Sequence, residues 1–160
     1  MIKRLAVENF KSIRRLELEC RRVNVFIGEP NSGKSNLLEA LGLLSLLAYE
    51  GETEAFLRTR DVRHLFHNYN IREDLKIGFD EHKLVGRFSP RAERIEIFYK
   101  GDVIGRIGPN QAQVIRAPVV HETLRLEAFR FYRFNPRATI PCSMLGLGLS
   151  PTSWSEAARL

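Results

Sequence analysis

The sequence predicts an α/β domain with a mixed sheet, a central buried helix that follows a glycine-bounded loop, and a subdomain of antiparallel β-hairpins. Three observations predict it. Residues 2–8 and 14–19 alternate apolar and polar side chains with the period of half-buried strands. A nearly continuous apolar run, Val23–Ile27, stops at Gly28 and is followed from Gly33 by a leucine-rich stretch. Beyond residue 74 the alternation returns in pairs of short runs, each pair separated by a polar turn.

Each element has its own reason. I-K-R-L-A-V-E and R-R-L-E-L-E form the first strand pair, joined by N-F-K-S at 9–12. V-N-V-F-I at 23–27 is nearly continuously apolar and rich in β-branched residues, which predicts a strand covered on both sides. G-K-S-N-L-L-E-A-L-G-L-L-S-L-L-A-Y places leucine or alanine around nearly the whole helical circumference, so this helix is expected inside the domain. Residues 53–72 predict one helix or two short ones with Phe56, Leu57, Val62, Leu65 and Phe66 on the apolar face. L-K-I-G-F and L-V-G-R-F flank D-E-H-K, and R-I-E-I-F-Y and V-I-G-R-I flank K-G-D, which predicts two hairpins. Residues 124–134 alternate again as a long strand closed by Asn135 and Pro136.

Bulk properties exclude several classes. With 44% hydrophobic and 28% charged residues in 160, the chain has enough apolar material for a folded core and is not expected to be disordered. The net charge of +6 suits a polyanionic partner such as nucleic acid or nucleotide, or simply a solvated basic surface. Cys20 and Cys142 have neither disulfide-framework nor zinc spacing, which favours a reducing cytoplasm. His64 and His67 are read as a surface pair rather than metal ligands. No signal peptide opens the chain, and the most apolar stretch, Leu37–Tyr49, is too short for a bilayer and carries Glu39, so a soluble protein without membrane partners is expected.

The segment G-E-P-N-S-G-K-S at 28–35 fits G-x-x-x-x-G-K-[ST] between a predicted strand and a predicted helix, the setting this motif requires. Gly28, Glu29, Pro30, Asn31, Ser32 and Gly33 would form the cradle, the two glycines letting successive amide N–H groups converge on phosphate oxygens. Lys34 would bring positive charge to the β- and γ-phosphates. Ser35 would offer its hydroxyl to Mg²⁺, and the helix would point its positive end at the same anion.

These residues, with the opening I-K-R-L-A-V-E-N-F-K-S and the continuation N-L-L-E-A-L, resemble the N-terminal lobe of the ABC-type P-loop ATPase heads found in SMC, RecF and OLD-like proteins, also described as AAA ATPases of the 15/21 kind. The likeness is specific over residues 1–49 and looser to 136. It implies a P-loop NTPase lobe over residues 1–137 that takes ATP with Mg²⁺. It also implies that Lys11 and Ser12, in the N-F-K-S turn, lie near the nucleotide and that Asn36 belongs to the site. Pro30 stands where many relatives have Asn; it removes one backbone donor, leaves Asn31 as the nearby polar side chain, and is expected to weaken the grip.

Hydrolysis needs more than a cradle. The family's Walker B acids, signature motif and switch histidine lie C-terminal to this lobe, and none is recognisable here. I-G-F-D-E at 77–81 places Asp80 and Glu81 after apolar residues, but Lys76 and Gly78 interrupt the run and a hairpin needs a turn there. Gln111 and Gln113 follow no clear strand, so neither is assigned as a γ-phosphate sensor. D-V-I-G at 102–105 falls on a hairpin turn and no N-K-x-D guanine reader occurs, which favours adenine. A P-loop kinase would need compact strand–helix alternation that this sequence lacks.

The expectation is therefore an incomplete ATPase head that binds Mg·ATP weakly and turns it over poorly. By resemblance, the intact head would form a homodimer around ATP, or use a missing C-terminal lobe, and work on DNA in repair or defence. Residues 138–160, nearly uncharged and interrupted by Gly, Ser and Pro, are expected to be a truncated or loosely packed tail. The competing reading is a non-enzymatic nucleic-acid module with nucleotide as a structural ligand, using Arg14, Arg15, Arg21, Arg22, Arg125, Arg130 and Arg133 as phosphate contacts.

Overall fold

The structure, a computed structural model, describes residues 2–59 and 61–126. Seven strands form one sheet: β1 (Arg4–Phe10), β2 (Ile13–Glu19), β3 (Leu75–Phe79), β4 (His82–Ser89), β5 (Arg94–Tyr99), β6 (Asp102–Ile107) and β7 (Ala112–Val114). Their spatial order is β2-β1-β3-β4-β5-β6-β7. Every adjacent pair is antiparallel. The mixed sheet expected from the sequence is thus an antiparallel one among the described residues. The predicted hairpins are present, but they continue the sheet begun by β1 and β2 instead of forming a subdomain of their own. The connections explain this: short turns such as Asp80–Glu81 and Lys100–Gly101 return the chain beside itself and permit only antiparallel neighbours. At Lys100–Gly101 both residues have positive φ, 50° and 91°, the twist-compatible turn geometry.

One face of this sheet is apolar. Leu5, Val7, Leu75, Ile77, Phe79, Leu84, Ile95, Ile97 and Ile107 are all buried at alternate strand positions. Against them lies α1 (Lys34–Tyr49), whose Leu37, Leu43, Leu44, Leu46 and Leu47 are also buried. The helix that the sequence places inside the domain is inside it, packed against β1, β6 and β7 of the sheet, α2 (Thr53–Leu57) and the short helix Val119–Thr123. The second helical region is broken: α2 is followed by two 3₁₀ turns, Val62–Leu65 and His67–Tyr69. Its apolar residues Leu57, Val62, Leu65 and Phe66 are buried as expected.

Val23–Ile27 departs from expectation. No strand forms there, and Val23, Val25 and Ile27 are 76%, 76% and 90% exposed. The physical reason is the lack of neighbours. A strand this apolar is stable only with a ladder on its edges and cover on both faces. Among the described residues β2 ends the sheet on that side and no further strand flanks the segment. The strand expected at 124–134 lies outside the described residues from 127 onward, as does the 138–160 tail; residues 124–126 are not in a strand.

Asp80 occupies a hairpin turn with φ 49°, as the polar D-E-H-K stretch suggests. Its carboxylate accepts the backbone N–H groups of Lys3 (2.7 Å) and Arg4 (3.1 Å) at the start of β1. Those bonds hold its pKa below the usual carboxylate value. A lowered carboxylate pKa means stability that is present above the ordinary value and lost as pH falls through the lowered one. Asp80→Asn should therefore flatten the loss of thermal stability on acidification below about pH 4, measured as melting temperature against pH beside the wild type.

Gly105 on β6 marks the closest approach of helix to sheet. A Cβ there would lie 2.9 Å from Leu47 Cδ2 and 3.2 Å from the Gln113 carbonyl oxygen. Leu47 is fully buried and has no free direction in which to move. Gly105→Ala is expected to lower unfolding free energy by about 1 kcal/mol or more through overpacking, read from urea denaturation; an unchanged midpoint would contradict this packing.

Candidate phosphate-binding site

The β1–β2 hairpin, the loop 28–33 and the first turn of α1 meet at one end of the sheet. A cleft of about 600 Å³ opens between them, lined by Ser12, Ile13, Arg14 and Leu16 on one side and Gly28, Ser32, Gly33 and Lys34 on the other. Its size lies in the range of sites for small molecules.

The loop is shaped by its backbone. Gly33 caps α1 with φ 89° and ψ 1°, a left-handed conformation that costs any other L-residue energy. It also has no room: a Cβ would lie 2.9 Å from the Ser12 Oγ. Asn31, at φ 64°, takes a second left-handed position, which asparagine tolerates better than most residues. Ser32 N–H donates to the Glu29 carbonyl (3.3 Å), closing the loop on itself.

The head of α1 carries no side-chain cap. No acidic residue lies in its first turn, so its unpaired amide N–H groups and positive dipole end carry no competing negative charge. The Lys34 ammonium curls over the loop, donating to the carbonyl oxygens of Gly28 (2.8 Å) and Glu29 (2.6 Å) and to Ser32 Oγ (3.0 Å). Those oxygens stand where an anion's oxygens would compete for the same donors. Ser35 is exposed at the helix start. A single hydroxyl could serve only a Mg²⁺ that draws its other ligands from phosphates and water. Among the described residues no group of three acidic, His or Cys side chains could hold a metal by itself.

The N-F-K-S turn contributes unevenly. Ser12 reaches the loop: its Oγ accepts from Asn36 Nδ2 at 2.7 Å and faces Gly33. Lys11 points elsewhere, its ammonium donating to Glu39 of α1 and to the Leu57 carbonyl. Glu39 is 2% exposed and also receives Arg58 Nε. Burial pulls the Lys11 pKa down, partly offset by the hydrogen bond to Glu39. Sequence reading missed Arg58 as a partner, and Glu39 carried a signal, being the only charge in Leu37–Tyr49.

The other candidates lie away from the cleft. Asp80 and Glu81 sit beyond the far end of β1 from Ser12, and a seven-residue strand spans roughly 20 Å. Asp102 pairs with Arg116 at 2.9 Å. Gln111 bridges Glu52 and Gln113 pairs with Arg106 at the opposite sheet edge. His64 bonds the Tyr69 hydroxyl (2.9 Å), and His67 Nδ1 contacts the Lys11 carbonyl (2.9 Å). Of the arginines considered for nucleic acid, Arg14, Arg21, Arg22 and Arg125 are exposed. Arg15 is tied to Glu17 at 2.8 Å. Arg130 and Arg133 lie outside the described residues. No helix among the described residues is long and apolar enough to cross a membrane.

Fold and loop together define a class: an α/β domain that presents a G-x-x-x-x-G-K-S loop at the head of its enclosed helix. The family model of the AAA ATPase domain matches residues 1–135, and the chain belongs to this family of ATP-binding ATPases. Two curated relatives, the DNA replication and repair proteins RecF of Thermoanaerobacter sp. (strain X514) and Thermoanaerobacter pseudethanolicus (strain ATCC 33223 / 39E), are each 44% identical over 46 residues. That stretch is 28% of this chain and 13% of either relative. No solved structure matches the chain.

The collision at Gly33 is separable from its backbone strain. Gly33→Ala should cost about 1–2 kcal/mol for the left-handed conformation plus a steric part from Ser12. In a Ser12→Gly background only the conformational part should remain, measured as the difference in denaturant midpoints.

Proposed function

We propose that this chain is the ATP-binding lobe of a larger ATPase head. Residues 28–36 grip the triphosphate of Mg·ATP, with Ser12 flanking the loop. The observation that carries the reading is the unprotected head of α1, where Gly33 is left-handed, the first turn holds no acid and Lys34 folds over the mouth of the loop. Gly28 to Gly33 supply amide donors, one fewer because of Pro30, and Lys34 exchanges its carbonyl partners for phosphate oxygens. Asn36 and Ser12 hold each other and so fix the first turn beside Ser35. Magnesium, when bound through Ser35 and the phosphates, would neutralise charge on the phosphoryl groups.

Binding is the whole of what these residues perform. Glu39, the acid one helical turn from Ser35, is taken by Lys11 and Arg58 and is not free to orient water, so on this reading the lobe alone turns ATP over poorly. The exposed apolar segment supports a second lobe: Val23, Val25 and Ile27 have the composition of a covered strand without cover. We place there the remaining part of the head, which would bring the acidic and signature residues, or a second head in a homodimer. Work on DNA in repair or defence follows from the RecF likeness as a further part of the proposal.

Calorimetric titration of Mg·ATP into the chain tests it. Heat of binding should appear for the wild type and fall at least about tenfold in affinity for Lys34→Ala, the scale of one charge-assisted hydrogen bond. Phosphate release should stay near background for both proteins. No heat with the wild type would refute the site, and steady turnover abolished by Lys34→Ala would refute the incomplete head. Nucleic-acid binding that is steeply salt-dependent and indifferent to ATP would favour the non-enzymatic alternative.

A further inference from the structure

Lys11 has no polar atom to spare. Its backbone N–H donates to the Leu65 carbonyl at 2.9 Å, and its own carbonyl accepts from His67 Nδ1 at 2.9 Å, which requires the proton of that imidazole to sit on Nδ1. Its ammonium bonds Glu39 and the Leu57 carbonyl. The residue holds φ 48°, outside the usual range for lysine, so this conformation persists because the surroundings impose it. Four segments meet on one side chain and its peptide: the β1–β2 turn, α1, the end of α2 and the two 3₁₀ turns.

Glu39 is the centre of the arrangement. At 2% exposure it is flanked by two cations, and a carboxylate so buried persists only when paired and hydrogen-bonded on both oxygens. Asn9, on the other side of the turn, is fixed in the same way: its Nδ2 donates to the carbonyls of Asn70 (3.2 Å) and Glu73 (2.8 Å), and its Oδ1 accepts from His67 N–H (3.1 Å). Next to Lys11 in the chain stands Ser12, whose Oγ bonds Asn36 and abuts Gly33 of the phosphate loop.

We propose that Lys11 is a positioning residue and not a ligand of the nucleotide: clamped by the Leu57 carbonyl and by Glu39, which Arg58 holds on its other oxygen, it keeps Ser12 against Gly33 and Asn36 and so sets the shape of the loop. This deepens the proposed function and rests on its assignment of residues 28–36 to Mg·ATP. A ligand and a clamp make opposite demands on Glu39. If the Lys11 ammonium served a phosphate, removing the charge of Glu39 would release it and leave affinity equal or higher. If Lys11 is a clamp, the same change loosens the turn and lowers affinity.

The experiment is Mg·ATP titration of the full chain as wild type, Glu39→Gln, Lys11→Met, Ser12→Ala and the Lys11→Met/Ser12→Ala pair, with melting temperatures taken alongside. A clamp acting through Ser12 predicts a loss of about tenfold for each single variant, the scale of one misdirected hydrogen bond. The double variant should be no weaker than the weaker single, because the two changes remove one effect. Lys11→Arg should retain most of the affinity by keeping the ion pair. If Glu39→Gln does not fold, Arg58→Met, at the more exposed end of the cluster, takes its place. Independent losses multiplying to about a hundredfold in the double variant, or undiminished binding by Glu39→Gln or Arg58→Met, would overturn the clamp while leaving the nucleotide site standing. Absence of binding by the wild type would overturn both.

Discussion

The burial of α1 against one apolar face of the antiparallel sheet is the constraint on which the rest depends. A helix with leucine on nearly every side cannot remain in water, and it is long enough to demand cover along its whole length. The sheet supplies that cover with alternate side chains from its strands, and α2 with the short helix Val119–Thr123 adds to it. Because the helix is held so widely, its first turn is held too. The loop before it inherits a fixed exit direction, and the amides at the helix head point into the cleft without any side chain being needed to orient them.

Charge is arranged around this apolar centre with a clear division. On the outer side of the sheet, Lys76 pairs with Glu8 at 2.8 Å and Arg87 with Asp74 at 2.9 Å, solvent-exposed contacts that contribute little to stability. Inside, only Glu39 with Lys11 and Arg58 forms a buried ionic cluster among the described residues. A buried cluster of this kind is weak evidence for stability, since apolar residues of similar volume would do as well. Its value lies in defining one geometry: three segments of chain must come together in one way for both carboxylate oxygens to be satisfied.

Much of this was legible in the sequence because it depends on local pattern. Period-two alternation located β1 to β6, and the unbroken ring of leucines identified the enclosed helix. The glycine and lysine spacing marked the loop, and D-E-H-K was recognised as a turn whose geometry Asp80 then adopts. What was not legible depends on partners distant in the chain. Nothing in Val23–Ile27 tells whether a neighbouring strand is at hand, so composition alone predicted burial. Whether the hairpins join β1 or stand apart is decided by the pairing of β3 with β1, across more than 60 residues. Lys11 looked like a nucleotide contact by resemblance; that its ammonium turns to Glu39 follows from how the hairpin crosses the helix.

Among the described residues β2 is an edge strand, which has a consequence for how copies of this chain meet. An unpaired strand edge offers its N–H and C=O groups to any extended backbone, and repeated stacking on such edges produces fibrils. On β2 the exposed positions are Arg14, Arg15, Glu17 and Glu19, so an identical strand arriving parallel and in register would set each charge beside its like. That penalty discourages indiscriminate polymerisation while leaving the apolar residues a few positions later free for a partner of the right shape.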